Sequence, residues 1–108
     1  MTEITFDDFK KIEFRVAKIL EVQEIPGASK LWKLLIDVGL EKKEIVAGIK
    51  IAYSREALLG KSIVVVNNLT SVAIRGVESK GMLLAAKNGE DLTLLALDKD
   101  FPAGSLVS

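Results

Sequence analysis

The spacing of apolar and polar positions changes period once near the start of the chain and then holds close to two. Thr5 to Ile12 reads as a short helix. Phe6, Phe9 and Ile12 share one face, Thr5 stands where a cap belongs, and Asp7 and Asp8 suit the positive end of the helix dipole. Beyond it, Phe14, Val16, Ile19 and Val22 alternate imperfectly with Arg15, Lys18 and Glu21. This predicts a long first strand with a bulge or bend near Lys18–Leu20. Pro26-Gly27 opens a loop that runs to Ser29-Lys30. Leu31–Val38 is a second strand, with Leu34 and Ile36 on one face and Lys33, Leu35 and Asp37 on the other. Gly39–Lys43 is a polar hairpin connection, and Glu44–Ile49 is a third strand. Tyr53–Leu59 gives one or two helical turns between Ser54 as cap and Gly60 as stop.

The second half continues as strands. Lys61–Leu69 is the fourth, and its Ile63–Val66 run implies burial on both faces. Gly81–Ala86 is the fifth, and an Asn88-Gly89 turn leads to the sixth, Asp91–Leu97. Asp98–Gly104 reads as loop, and Ser105–Ser108 adds a final short strand. Nothing repeats and no linker divides the chain, so residues 1–108 are expected to form one domain. Six short strands with a small helix between the third and fourth predict an all-β barrel rather than a sandwich. That helix sits where the five-stranded Greek-key barrel of the OB-fold carries its own. The helix at the start and the strand at the end would be extensions of it.

Composition narrows the chemistry. Hydrophobic residues make up 49% of the chain and charged ones 28%, which is a globular balance. The longest apolar run is far too short for a membrane span, and Glu3, Asp7 and Asp8 are wrong for a signal peptide's basic start, so a cytoplasmic protein is expected. Cysteine and histidine are absent. That removes disulfides, thiol nucleophiles, thiolate metal sites and every use of imidazole as base or ligand. The remaining acidic pairs, Asp7-Asp8, Glu90-Asp91 and Asp98 with Asp100, lie in cap or turn positions that explain them locally. A binding module without cofactor or metal is expected, not an enzyme.

The net charge is zero, yet its distribution is uneven. Residues 1–24 carry four basic and six acidic side chains, and residues 88–108 carry one and four. The stretch 25–87 between them is basic by five charges, which allows a local cationic face on a neutral protein. Two strings there suit nucleic acid. In Arg75-Gly76-Val77-Glu78-Ser79-Lys80-Gly81-Met82, Arg75 and Lys80 offer phosphate contacts and Ser79 a hydrogen bond, while Met82 is either a surface for a base or a core residue. In Ser29-Lys30-Leu31-Trp32-Lys33, an aromatic ring lies between lysines, and Trp32 is either a stacking platform or buried packing. Leu92, Leu94, Leu95 and Leu97 place apolar side chains on both faces of the last long strand, as an interface between copies would.

These strings, with Asp8-Phe9, Phe14–Ile19, Val46–Ile49 and Val64–Leu69 in the same order, make the chain resemble the tRNA-binding domain family over about residues 4–107. The family includes the carboxy-terminal domain of methionyl-tRNA synthetase and standalone structure-specific tRNA-binding proteins. The resemblance implies an OB-fold that recognises tRNA by shape, a homodimer, and service to an aminoacyl-tRNA synthetase, the methionyl enzyme first. Arg75, Ser79 and Met82 match the family's binding loop, Lys30 the basic residue opening the second strand, and Asn67 an asparagine that orders the loop more than it touches RNA. Ser29 and Trp32 depart from the family's usual Asp and Tyr. Glu44–Ile49 looks like the synthetase-associated branch rather than the chaperone-like one. The initial Met and the absence of synthetase catalytic motifs favour a free-standing protein or a separate β subunit. The rival expectation is a chaperone-like or synthetase-docking dimer that barely touches RNA.

Overall fold

In a computed structural model that describes residues 1–108, the chain runs α1 (Phe6–Lys10), β1 (Phe14–Glu24), β2 (Trp32–Asp37), β3 (Lys42–Ala47), α2 (Arg55–Leu58) and β4 (Ser62–Val66). It continues with β5 (Val72–Ile74), β6 (Val77–Ser79), β7 (Met82–Leu83), β8 (Ala85–Asn88), β9 (Asp91–Leu94) and β10 (Leu106–Val107). The principal sheet has the order β3-β2-β1-β4-β7, with β10 added to the start of β1.

β1 organises the barrel because it serves two walls. Its first half pairs with β4, from Phe14 opposite Val66 to Lys18 opposite Ser62. Its second half pairs with β2, from Lys18 opposite Asp37 to Glu24 opposite Trp32. The register slips between Ile19 and Glu21, at the bulge expected from the imperfect alternation, and the extra residue bends the strand from one wall into the other.

Closure uses a bent fifth strand. β7 pairs with β4 through Met82 and Val66, whereas the end of β6 turns to β3, where the Lys80 amide donates to the Glu44 carbonyl at 2.9 Å. The corner between them is Gly81, at φ 145°, where an added Cβ would stand 2.9 Å from the Val66 carbonyl oxygen. Only glycine fits that approach. The result is a nearly closed all-β barrel of the OB type, with α2 between β3 and β4.

The inner faces supply the core. Leu34, Ile36, Ile45 and Ile63 have no exposed surface, and α2 lowers Leu58 into the same interior. Each such side chain contributes roughly 1.5–3 kcal/mol relative to staying in water. Ser54 caps α2 by accepting the Ala57 amide, and Thr5 caps α1 by accepting that of Asp8, as their positions predict.

Several expected boundaries move. β3 starts at Lys42, inside the expected connection, because Lys42 and Lys43 pair with Asp37 and Ile36. The expected fifth strand is broken at Leu84 into β7 and β8. Its turn to β9 is centred on Gly89 and Glu90, one residue beyond Asn88-Gly89, since Asn88 and Asp91 already pair. The stretch 72–79 is not loop but a small hairpin, β5–β6.

Candidate nucleic-acid interface

The β5–β6 hairpin has a two-residue tip, Arg75-Gly76, between the pair Ile74 and Val77. Both tip residues have positive φ, 52° and 80°, which is the type I′ form whose twist suits adjoining strands. Arg75 is the one non-glycine residue in that region. A left-handed arginine costs on the order of 1 kcal/mol, and its side chain is exposed and makes no ion pair.

What seats the hairpin is a second, smaller core. Val46 on β3 points away from the barrel interior and is buried with Ile25 and Ala28 of the β1–β2 loop. Leu31 from that loop and Ile74 and Val77 from the hairpin pack against the same three residues. Loop and hairpin therefore share one apolar contact over the outer face of β3. Ser79 lies opposite Val46 and Lys80 opposite Glu44, so β6 runs antiparallel to β3 and its tip projects past the end of β3. Lys30 is at that same end, exposed and without an ion pair; its carbonyl accepts the Lys50 amide at 3.3 Å. The fold thus brings Arg75 and Lys30 to one rim.

Lys33 and Lys80 lie lower on the wall, on either side of Glu44. Lys33 Nζ is 3.5 Å from the Glu44 carboxylate, and Lys80 Nζ is 3.4 Å from Glu78. Met82 is not core: it is 37% exposed, on β7.

Two expected contact residues are buried instead. Ser79 is 1% exposed, and its hydroxyl accepts the Val46 amide at 3.0 Å and donates to the Gly81 carbonyl. It completes a ladder position that a backbone carbonyl would otherwise fill, and presents nothing to a ligand. Trp32 is 7% exposed within the main core, with its indole N–H donated to the Tyr53 carbonyl at 2.9 Å. It is packing, not a stacking platform; Lys50 Nζ lies 4.8 Å and the Arg55 guanidinium 5.9 Å from the ring centre. Such cation–π contacts contribute about 0.5–1 kcal/mol each at exposed sites.

Asn67 is a structural link. Its side-chain N–H donates to Glu13, its amide to the Glu13 carbonyl, and its own carbonyl accepts Lys43 Nζ at 3.1 Å. Its side-chain oxygen is buried without a partner. The Asn67 hydrogen bond and then that from Arg15 hold the Glu13 carboxyl below its usual value.

Lys50 and Arg55, the two cations against the Trp32 ring, lie outside both motif strings. The basic excess of residues 25–61, seven cations to four acids, was the trace they left.

With this geometry in place, the comparisons with known proteins decide the family. The model described as "Putative tRNA binding domain" matches residues 14–106. The chain belongs to the tRNA-binding domain family. As such a domain it is 51% identical, over 97% of its length, to a methionine–tRNA ligase of Thermotoga maritima, and 51% identical, over 99%, to that of Methanococcus aeolicus. It spans only 17% and 16% of those relatives. Among solved structures, a MetRS related protein from Pyrococcus horikoshii superposes with a TM-score of 0.93 at 33% identity, with full coverage of both chains. The chaperone CsaA of Bacillus anthracis superposes at 0.89 with 28% identity, covering 99% of this tRNA-binding domain and all of that chain.

Proposed function

We propose that the chain binds tRNA by shape, with little sequence preference, as a non-catalytic trans-acting cofactor or β subunit of an aminoacyl-tRNA synthetase, the methionyl enzyme first, in the cytoplasm. The observation that carries this reading is the pairing of Arg75, held at a strained turn, with Lys30 over one shared apolar cluster. Both cations are free of acidic partners, as phosphate contacts require. Lys33, Lys80 and Met82 extend the surface down the wall, and Asn67 orders the chain that leads to the hairpin. The methionine–tRNA ligases that contain a similar segment support the choice of synthetase.

A homodimer is part of the proposal, through a surface other than the expected strand. Of that strand's leucines Leu94 is core and Leu95 alone is exposed, while Phe6, Phe9 and Ile12 around α1 and Leu106 on β10 form a larger exposed apolar group. They border a cleft of about 560 Å³ that also takes in Phe14 and Val107. A second copy covering this apolar face would set two weak cationic rims on one RNA, where avidity offsets modest affinity per site.

Fluorescence anisotropy with total tRNA and with an unstructured RNA of equal length tests the reading at two salt concentrations. Neutralising two to four phosphates gives a log–log salt slope of roughly −1.4 to −2.8, at about 0.7 per contact. The likeness to the CsaA chaperone structures favours one alternative, a dimer that binds polypeptide. Equal binding of both RNAs, or none, with no salt dependence, decides for it.

A further inference from the structure

The rim that carries Arg75 and Lys30 continues toward α2, where two further cations lie against the Trp32 ring. Arg55 opens α2, is exposed, and makes no ion pair. Lys50 follows the end of β3, and its backbone amide is bonded to the Lys30 carbonyl. Its Nζ is held by the Glu24 carboxylate at 2.9 Å, with the lysine side chain 22% and the glutamate side chain 67% exposed. Glu24 ends β1, Trp32 begins β2 and Lys50 lies just past β3, so all three strands deliver these groups to one end of the barrel. The hairpin tip projects past that same end.

We infer that Lys50 and Arg55 are phosphate-contacting residues of the RNA rim, and that Glu24 masks Lys50 until a phosphate displaces it. The inference rests on the RNA-binding reading and deepens it. The indole face keeps the two cations laid across the end of the barrel instead of dispersed in solvent. Lys50 with a carboxylate partner offers RNA little charge, because a phosphate must first displace Glu24. That exchange costs the ion pair and returns a stronger contact with a polyanion. The rim therefore runs from Arg55 through Lys50 and Lys30 to Arg75. Glu24 is the acidic residue in contact with Lys50 and sets whether that cation is available at rest.

The experiment is a double-mutant cycle on tRNA affinity, read by anisotropy on the full chain. Glu24→Gln is expected to tighten tRNA binding by about 2–5-fold while leaving the log–log salt slope almost unchanged, because Lys50 meets a phosphate in both bound states. Glu90→Gln, the same charge change at the β8–β9 turn, corrects for net charge. In a Lys50→Gln background the Glu24→Gln gain disappears, and Arg55→Gln weakens binding by about 2–5-fold on the scale of a lost surface phosphate contact. Thermal melts of each variant show that the fold is kept. If the wild type binds tRNA but Glu24→Gln matches Glu90→Gln, or its gain survives in Lys50→Gln, the masking of Lys50 is wrong. Unchanged affinity in both Arg55→Gln and Lys50→Gln removes these residues from the rim while leaving the tRNA reading intact. Failure of the wild type to bind tRNA overturns both.

Discussion

The hydroxyl of Ser79 accepts the backbone amide of Val46 at 3.0 Å, and this side chain closes the barrel where a strand would otherwise continue. Ser79→Ala leaves a buried amide unpaired, at a cost of about 1–3 kcal/mol. A urea melt should show that loss, and tRNA affinity should fall with it because the hairpin loses its seat. Weakened RNA binding with unaltered stability would instead put the hydroxyl in contact with RNA.

Arg75 predicts effects of opposite sign. Asparagine tolerates the left-handed region far better, so Arg75→Asn should stabilise the fold by roughly 0.5–1 kcal/mol. The same change removes a free cation from the hairpin tip. Calorimetry and anisotropy on one preparation should therefore show a higher melting temperature beside weaker tRNA binding. A drop in both would mean that the side chain holds the hairpin together.

Trp32→Phe separates packing from stacking. It keeps an aromatic face but leaves the Tyr53 carbonyl without its indole donor, for a predicted loss of about 1–3 kcal/mol in stability. An exposed stacking ring would behave differently, losing affinity on the order of 1–3 kcal/mol per base when removed altogether.

Acid should unfold the protein through its linking carboxylates. Glu13 is held below its ordinary 4.5 chiefly by Asn67, and Asp100 below its ordinary 3.8 by Lys18. A depressed folded value means stability that is present above the unfolded value and lost as pH falls through the folded one. Melting temperature should hold near neutrality and decline below about pH 4.5, the ordinary glutamate value. Glu13→Gln with Asp100→Asn should flatten that decline. A limb unchanged in the double variant would assign acid sensitivity to other groups.

Polar substitutions on the α1 and β10 surface test assembly. Phe6→Ser with Leu106→Ser alters two exposed side chains, so the barrel should fold as before. Light scattering at micromolar concentration should show a dimer for the parent chain and a monomer for the variant. A monomeric parent would end the homodimer proposal.

Much of this architecture was legible because burial on one face leaves a period of two. Leu34 and Ile36 against Lys33 and Asp37 give β2 and its orientation directly. The bulge in β1 showed as a broken alternation. The β5–β6 hairpin did not show, because three-residue strands carry almost no period and its turn has Arg where Asn or Asp usually announces the form. Trp32 and Ser79 were misplaced for a shared reason. Each has a polar group that reads as available in a list of side chains, and only the fold reveals the Tyr53 carbonyl and Val46 amide that occupy it. The outward face of Val46 was not legible either, since Ile45, Val46 and Ala47 are all buried and leave no polar neighbour to orient them.

The small core over β3 has a consequence for what the protein can distinguish. OB barrels commonly offer ligands the open face of their second and third strands. Here the protein's own hairpin and loop roof the outer face of β3 and replace it with charges mounted on a common apolar hinge-point. Trimming Ile74 or Val77 would shift Arg75 relative to Lys30 without touching either cation. Under the proposed RNA-binding reading the domain works as a caliper, whose jaws are set by methyl groups and whose measure is the distance between phosphates.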